Sequence, residues 1–275
     1  MELGTYNDLV VLRSIRHGLI LGDSNGEEIL LPVKYVPENA REGEPLRVFC
    51  YLDHEERPVA TTLQPLITRN SFGFLEVAEV NEYGAFLHWG LEKHLLVPFR
   101  EQPERMTAGR SYVVYCYLDL LTSRLVASAR IERFLDNTAQ AFAPGQEVSL
   151  LIYRETEIGY EAIVDNQAKG LVFRDQVFRE LAPGQRLTGY IKAVRPDQKI
   201  DLVLEPPGYR KLEPAAERIF QEMQRAGGSL PLTDNSSPEE IRNLLQMSKK
   251  LFKKGVGILY KERRIELREG GIHIR

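Results

Sequence analysis

Cysteine is nearly absent: Cys50 and Cys116 are the only two in 275 residues, too few for a disulfide framework or, unaided, for a metal site. No apolar run approaches the ~20 residues of a membrane span. The opening Met1-Glu2-Leu3-Gly4-Thr5 also lacks the basic and apolar regions of a secretion signal, so a cytoplasmic protein is expected. Histidine is scattered, at positions 17, 54, 88, 94 and 273. No close His/carboxylate spacing suggests a metal, and no phosphate-loop glycines suggest a nucleotide cofactor. An enzyme is therefore not expected, and neither catalytic residue, metal, cofactor nor small-molecule substrate is assigned. His88 and His94 straddle Gly90 and could share a surface.

What is present is an ordinary globular composition, 43% hydrophobic and 27% charged, in a chain long enough for two or more domains. The net charge of −3 by itself argues weakly against nucleic acid, but its distribution is uneven. From Ser248 onward nine Lys and Arg stand against three acidic residues, a net +6 gathered at one end as an electrostatic footprint would be.

Three copies of one unit precede that basic end. Gly18 and Gly84 are 66 residues apart, as are Gly43 and Gly109, and Val48-Phe49-Cys50-Tyr51-Leu52-Asp53 is matched by Val114-Tyr115-Cys116-Tyr117-Leu118-Asp119. A third copy follows at an offset of 75, where Gly159 answers Gly84 and Gly184 answers Gly109. Each copy keeps 25 residues between its glycines, which marks an internal repeat. The paired cysteines, mid-strand among apolar neighbours, read as small core residues; nothing nearby supplies the electropositive setting of a reactive thiol.

In the second copy an apolar stretch from Glu79 to Gly90 is followed by Leu95-Leu96-Val97-Pro98, a strand at Tyr112 to Asp119, a turn at Leu120 to Ser123 and a last strand at Leu125 to Ile131. Short strands with turn chemistry between them fit a five-stranded OB-fold barrel. Tyr83 and Phe86 flank the Gly84-Ala85 turn and Arg124 opens the fifth strand. Two rings and a cation on one barrel face suit single-stranded nucleic acid, since every base has a stackable face and a phosphate beside it. The same spacing equally fits two core residues. His17 and Ile20 occupy these positions in the first copy, while the third offers Ile158, Glu161, Phe173 and Lys199. Copies one and three are therefore expected to serve mainly as structure, with Lys192, Arg195 and Lys199 within reach of phosphates. Short linkers at Pro65 to Ser71 and Asp136 to Pro144, and a stop at Glu205-Pro206-Pro207-Gly208, divide the chain into 1–66, 67–137, 138–208 and 209–275.

Beyond Tyr209 the apolar period changes to that of a helix, with Leu212, Ala216, Ile219, Phe220 and Met223 on one stripe ended by Gly227-Gly228. Ser237-Pro238-Glu239-Glu240 is a full helix-start signal, with Ile241, Leu244 and Leu245 as the buried side. A third helix from Ser248 would turn Leu251, Phe252 and Leu259 inward and Lys249, Lys250, Lys253 and Lys254 outward. Gly255 and Gly257 cost about 1 kcal/mol each relative to Ala, predicting a short C-terminal half. Ile265 and Leu267, paired across Glu269-Gly270-Gly271 to Ile272 and Ile274, form a hairpin. Three helices and a hairpin make a winged helix, whose Arg263, Arg264 and Arg268 could join the lysines on a phosphate backbone. A charge run of this kind is as often only a solvated face.

Taken together, the fold is expected to be multidomain and mainly β: three tandem OB-fold barrels followed by an α+β winged-helix domain. The order Tyr-Gly-Ala-Phe at 83–86, Leu96-Val97, Asp119 and Arg124 resembles the RNA-binding domain named after ribosomal protein S-one. That resemblance implies an RNA face at Tyr83, Phe86, Asp119 and Arg124, with Pro98 where the family usually carries His. Over nearly the whole chain the sequence resembles the conserved virulence factor B family. The resembling runs include Gly84 to Leu91, Gly189-Tyr190-Ile191-Lys192, Ser236 to Ile241 and Met247 to Lys254. The family implies a cytoplasmic RNA-binding protein that influences virulence gene expression, with no catalytic activity. A regulator that binds duplex DNA through the winged helix is the alternative.

Overall fold

Alternating apolar residues and two fixed glycines close each repeat into a five-stranded barrel. The computed structural model describes residues 1–139, 141–174, 177, 180–206, 214–268 and 270–275. The first barrel comprises β1 (Tyr6–Ile15), β2 (Gly18–Gly22), β3 (Glu28–Pro32), β4 (Pro45–Leu52) and β5 (Pro58–Thr61). The second comprises β6 (Ser71–Val80), β7 (Gly84–Leu87), β8 (Leu95–Pro98), β9 (Ser111–Asp119) and β10 (Arg124–Ser128). The third comprises β11 (Glu147–Thr156), β12 (Gly159–Val164), β13 (Ala168–Phe173), β14 (Arg186–Val194) and β15 (Ile200–Val203). All three are closed in the same order, first, second, third, fifth, fourth, with the third and fifth strands parallel. This is the Greek-key closure of the OB-fold.

The glycine spacing has a mechanical cause. Gly18, Gly84 and Gly159 open the second strand of each barrel at φ +147°, +154° and +154°. A Cβ on any of them would meet a carbonyl oxygen of the third strand at 1.9, 2.2 or 2.1 Å. The second glycine of each pair docks the incoming fourth strand on the first: Gly109 N–H donates to the Val77 carbonyl and Gly184 N–H to that of Ile152, both at 2.8 Å. Immediately beyond those acceptors every first strand bulges, at Leu12, Ala78 and Tyr153, which bends it around the barrel. Two glycines 25 residues apart thus hold the start of one strand and the return of another.

Two of the expected strand limits shift. The apolar stretch from Glu79 to Gly90 divides between the end of β6 and all of β7, and Ile131 lies in a 3-10 turn, Ile131–Phe134, beyond β10. Cys50 and Cys116 are fully buried, and burial pushes their thiols up to about 11 and about 12. They are core residues.

The barrels are not independent beads. Trp89 of the second packs edge-on to Phe49 and Tyr51 of the first, with ring centroids 5.8 and 6.3 Å apart, so one hydrophobic cluster spans both. Between the second and third, Phe72 N–H donates to Asn166 Oδ1 at 2.9 Å and Arg186 donates to the Phe72 carbonyl at 2.7 Å.

The remainder, a second compact unit, holds α1 (Pro214–Arg225), β16 (Ser229–Leu230), α2 (Pro238–Leu245), α3 (Lys249–Lys261), β17 (Ile265–Arg268) and β18 (Gly271–Ile274). Ser237 and Glu240 close a reciprocal capping box on α2, as the sequence signal requires. Ala216, Ile219, Met223, Phe252 and Leu259 form its core. Leu212 and Glu269 lie outside the described residues. Ile265 pairs with Ile274 and Leu267 with Ile272 as expected, but β16 adds a third strand to the wing by pairing with β18.

Three expectations about the helices fail. Leu244 and Leu251 are 47% and 43% exposed, because Leu245 and Phe252, one position on, take the core-facing direction. Nor is α3 cut short at its glycines. A Cβ on Gly255 would lie 2.6 Å from Ile219 Cδ1, so the missing side chain lets α3 approach α1, and this packing outweighs the propensity cost.

Candidate nucleic-acid interface

On β7, Ala85 and Leu87 point into the barrel while Phe86, between them, faces outward and is half-buried. Tyr83, just before the strand, is 66% exposed, its N–H held by Asn81 Oδ1 at 2.9 Å. Both rings and Arg124 line one groove of ≈ 500 Å³, so the core alternative for Tyr83 and Phe86 does not hold.

The groove has a second wall that the sequence did not reveal. Tyr51, Leu52, His54 and Glu56, from the β4–β5 hairpin of the first barrel, line it together with Tyr83 and Phe86. Glu56, at φ +64°, accepts from Arg124 Nε at 2.9 Å and Nη2 at 2.5 Å, and its other oxygen lies 4.0 Å from Lys93 Nζ. A carboxylate therefore bridges the two cations that a phosphate would seek. Lys93 also donates to the Asp53 carbonyl at 2.7 Å. Burial holds its ammonium below the usual lysine range, opposed by Glu56 and assisted by Arg124. Tyr51 and Trp89 give the groove an aromatic floor. The first barrel, expected to serve mainly as structure, thus contributes lining to the groove.

His88 and His94 do share a surface, their rings 4.6 Å apart and edge-on. Burial, then His88, keeps the His94 imidazole below the ordinary histidine range.

Other expected residues are placed elsewhere. Asp119 folds into its own turn, accepting from Leu121 N–H at 3.0 Å and pairing with Arg100 at 3.4 Å, and is absent from the groove lining. Lys192, exposed, is the bulged residue of β14, and Lys199 pairs with Asp197 at 2.9 Å; both belong to the third barrel. The third-copy position of Phe86, Glu161, is tied to Lys169 and Arg154 at 2.8 and 2.5 Å, which fills that face with ion pairs.

In the second unit Lys250, Lys253 and Lys254 are exposed on α3 and Lys249 is half-buried. Arg263 is exposed in the turn just beyond α3, where φ is +58°. Arg264 instead stacks on Phe220, 3.9 Å from its centroid, and Arg268 pairs with Glu266 at 3.0 Å. Stacking commits the Arg264 guanidinium face to the core of its own domain.

Comparison with known proteins agrees with this architecture. Residues 217–274 match the family described as CvfB-like winged helix domain, and residues 3–63 match the S1 domain. The S1 match covers the first barrel, whose topology the other two share. YitL of Bacillus subtilis is 28% identical over 255 residues, covering 90% of this chain and 86% of the relative. Conserved virulence factor B of Staphylococcus saprophyticus is 25% identical over 257 residues, covering 90% and 86%. A solved Streptococcus pneumoniae structure, a multidomain protein with nucleic acid binding domains, covers 99% of this chain and 98% of its own at 22% identity and a TM-score of 0.45. Over most of its length this chain is similar to conserved virulence factor B proteins, and it carries a CvfB-like winged helix domain and an S1 domain. Both domain types point to nucleic-acid binding.

Proposed function

We propose that this relative of conserved virulence factor B is a single-stranded RNA-binding protein that acts by binding rather than catalysis and influences gene expression after transcription. The observation that carries the reading is the convergence of Tyr83, Phe86 and Arg124 on one groove. Successive bases would stack on the two rings, and a phosphate would take Arg124 and Lys93 from Glu56. An exposed ion pair contributes only about 0–1 kcal/mol, so this exchange costs little. The lysines of α3 add a sequence-independent attraction to phosphates.

Two measurements test the reading. Excess duplex DNA should leave a labelled oligoribonucleotide bound, while unlabelled single-stranded RNA displaces it. Efficient displacement by duplex would favour the DNA-binding alternative, for which the winged helix is the supporting feature. Replacing Lys249, Lys250, Lys253 and Lys254 with Gln should lower the slope of log affinity against log salt by about 0.7 per lost contact to a single strand. An unaltered slope would remove α3 from the interface.

Glu56 supplies a prediction of opposite sign. Glu56→Gln should tighten RNA binding by up to about fivefold, the equivalent of about 1 kcal/mol, because Arg124 and Lys93 lose the carboxylate that competes with phosphate. Unchanged or weaker binding in a titration at low salt would show that Arg124 meets no phosphate.

A further inference from the structure

A second groove, of ≈ 480 Å³, lies at the junction of the second and third barrels. Its floor is apolar, with Ile131 buried. Tyr112 and Tyr153 line it, and each hydroxyl is already tied, Tyr112 accepting from Thr107 N–H at 3.2 Å and Tyr153 donating to Glu161 at 2.9 Å. Both rings are thereby fixed, which lowers the entropy lost when a flat partner packs on them.

Arginines form the rim. Arg130 spends its Nε on the Arg100 carbonyl at 2.8 Å, and Arg133 spends Nη1 on the buried carboxylate of Glu101 at 3.0 Å. A guanidinium carries five N–H donors, so each arginine is positioned by one anchor and keeps further donors. Arg154 is committed to Glu132 and Glu161 at 2.8 and 2.5 Å and serves to neutralise the acids. Glu132 is also held by Lys169 at 2.9 Å, which leaves Glu104 as the other acid of the lining. Fixed rings over an apolar floor with anchored arginines beside them are the combination that holds a single strand by stacking and phosphate contact.

We infer that this junction is a second subsite for the same strand, taking nucleotides that extend beyond the Tyr83 groove. Leu125 and Val126 line the first groove and Ala129 and Arg130 the second. The four-residue step from Val126 to Arg130 spans at most about 14 Å of extended chain, so one strand can reach both. The inference rests on the reading of the Tyr83 groove as an RNA site.

The test uses the full chain and oligouridylates of about 4 and about 16 nucleotides, the span of site sizes for one OB-fold. Arg130→Gln with Arg133→Gln should weaken the longer oligonucleotide about tenfold, lower its salt slope by about 1.4 for two lost contacts, and leave the shorter within twofold. Tyr83→Ala with Phe86→Ala should weaken both. Wild-type affinity of the arginine variant for the longer strand, with the Tyr83 pair still effective, would overturn the subsite and leave the first groove standing. Loss of neither would overturn the reading on which it rests. Because Arg133 supports a buried carboxylate, hydrogen exchange on the unaltered protein is the second measure. Amides of Ile131–Phe134 should be protected by the longer oligonucleotide and not by the shorter; equal exchange under both would reject the subsite.

Discussion

Gly84→Ala should lower the thermal midpoint of the barrels far more than Gly109→Ala, although both glycines lie at positive φ in the same barrel, +154° and +77°. At Gly109 a Cβ meets nothing within 4 Å, whereas at Gly84 it would lie 2.2 Å from the Val97 carbonyl oxygen and 3.1 Å from Pro98 Cα. Backbone cannot rotate aside as a side chain can. Unfavourable dihedrals cost about 1–3 kcal/mol, and crowding into a packed site costs about 1–3 kcal/mol more, so Gly84→Ala carries both effects and Gly109→Ala only the first. At about 2–4 °C per kcal/mol for a unit of this size, calorimetry separates them. Equal midpoints would mean that the approach of β7 to β8 is not what fixes this glycine.

Removing both rings should abolish most of the RNA affinity while leaving the fold intact. Each stacked base is worth about 1–3 kcal/mol by alanine substitution, or about 5- to 150-fold in affinity per ring. Tyr83→Ala removes a side chain that is 66% exposed, and Phe86→Ala one on the outer side of β7, so the core of the barrel is untouched. A titration in which the double variant binds as tightly as the original protein, with an unchanged melting curve, would show that RNA does not bind in this groove.

The sequence and the structure agree wherever one local rule decides. Of two glycines at one spacing, the first stands where a Cβ would meet third-strand backbone and the second where φ is positive, and Ser237 to Glu240 close a capping box whose partners are three residues apart. They part where distant residues decide. Arg124 finds Glu56 across 68 positions, and the aromatic floor of the groove combines Tyr51 with Trp89. Neither pairing has a periodic signal. The exposure of Leu244 and Leu251 follows from which of two adjacent leucine or phenylalanine side chains reaches α1, a choice that tertiary packing makes. Gly255 weakens an isolated helix and permits a close helix contact, and composition reports only the first effect.

Photo-crosslinking of single-stranded RNA to the intact protein, with the adducts mapped by mass spectrometry, locates the bound strand residue by residue. Adducts should fall on Tyr83 and Phe86 and on the hairpin at Tyr51 to Glu56, and should fade with excess unlabelled strand. Adducts confined to residues 214–275, with none between Ser71 and Ser128, would contradict it.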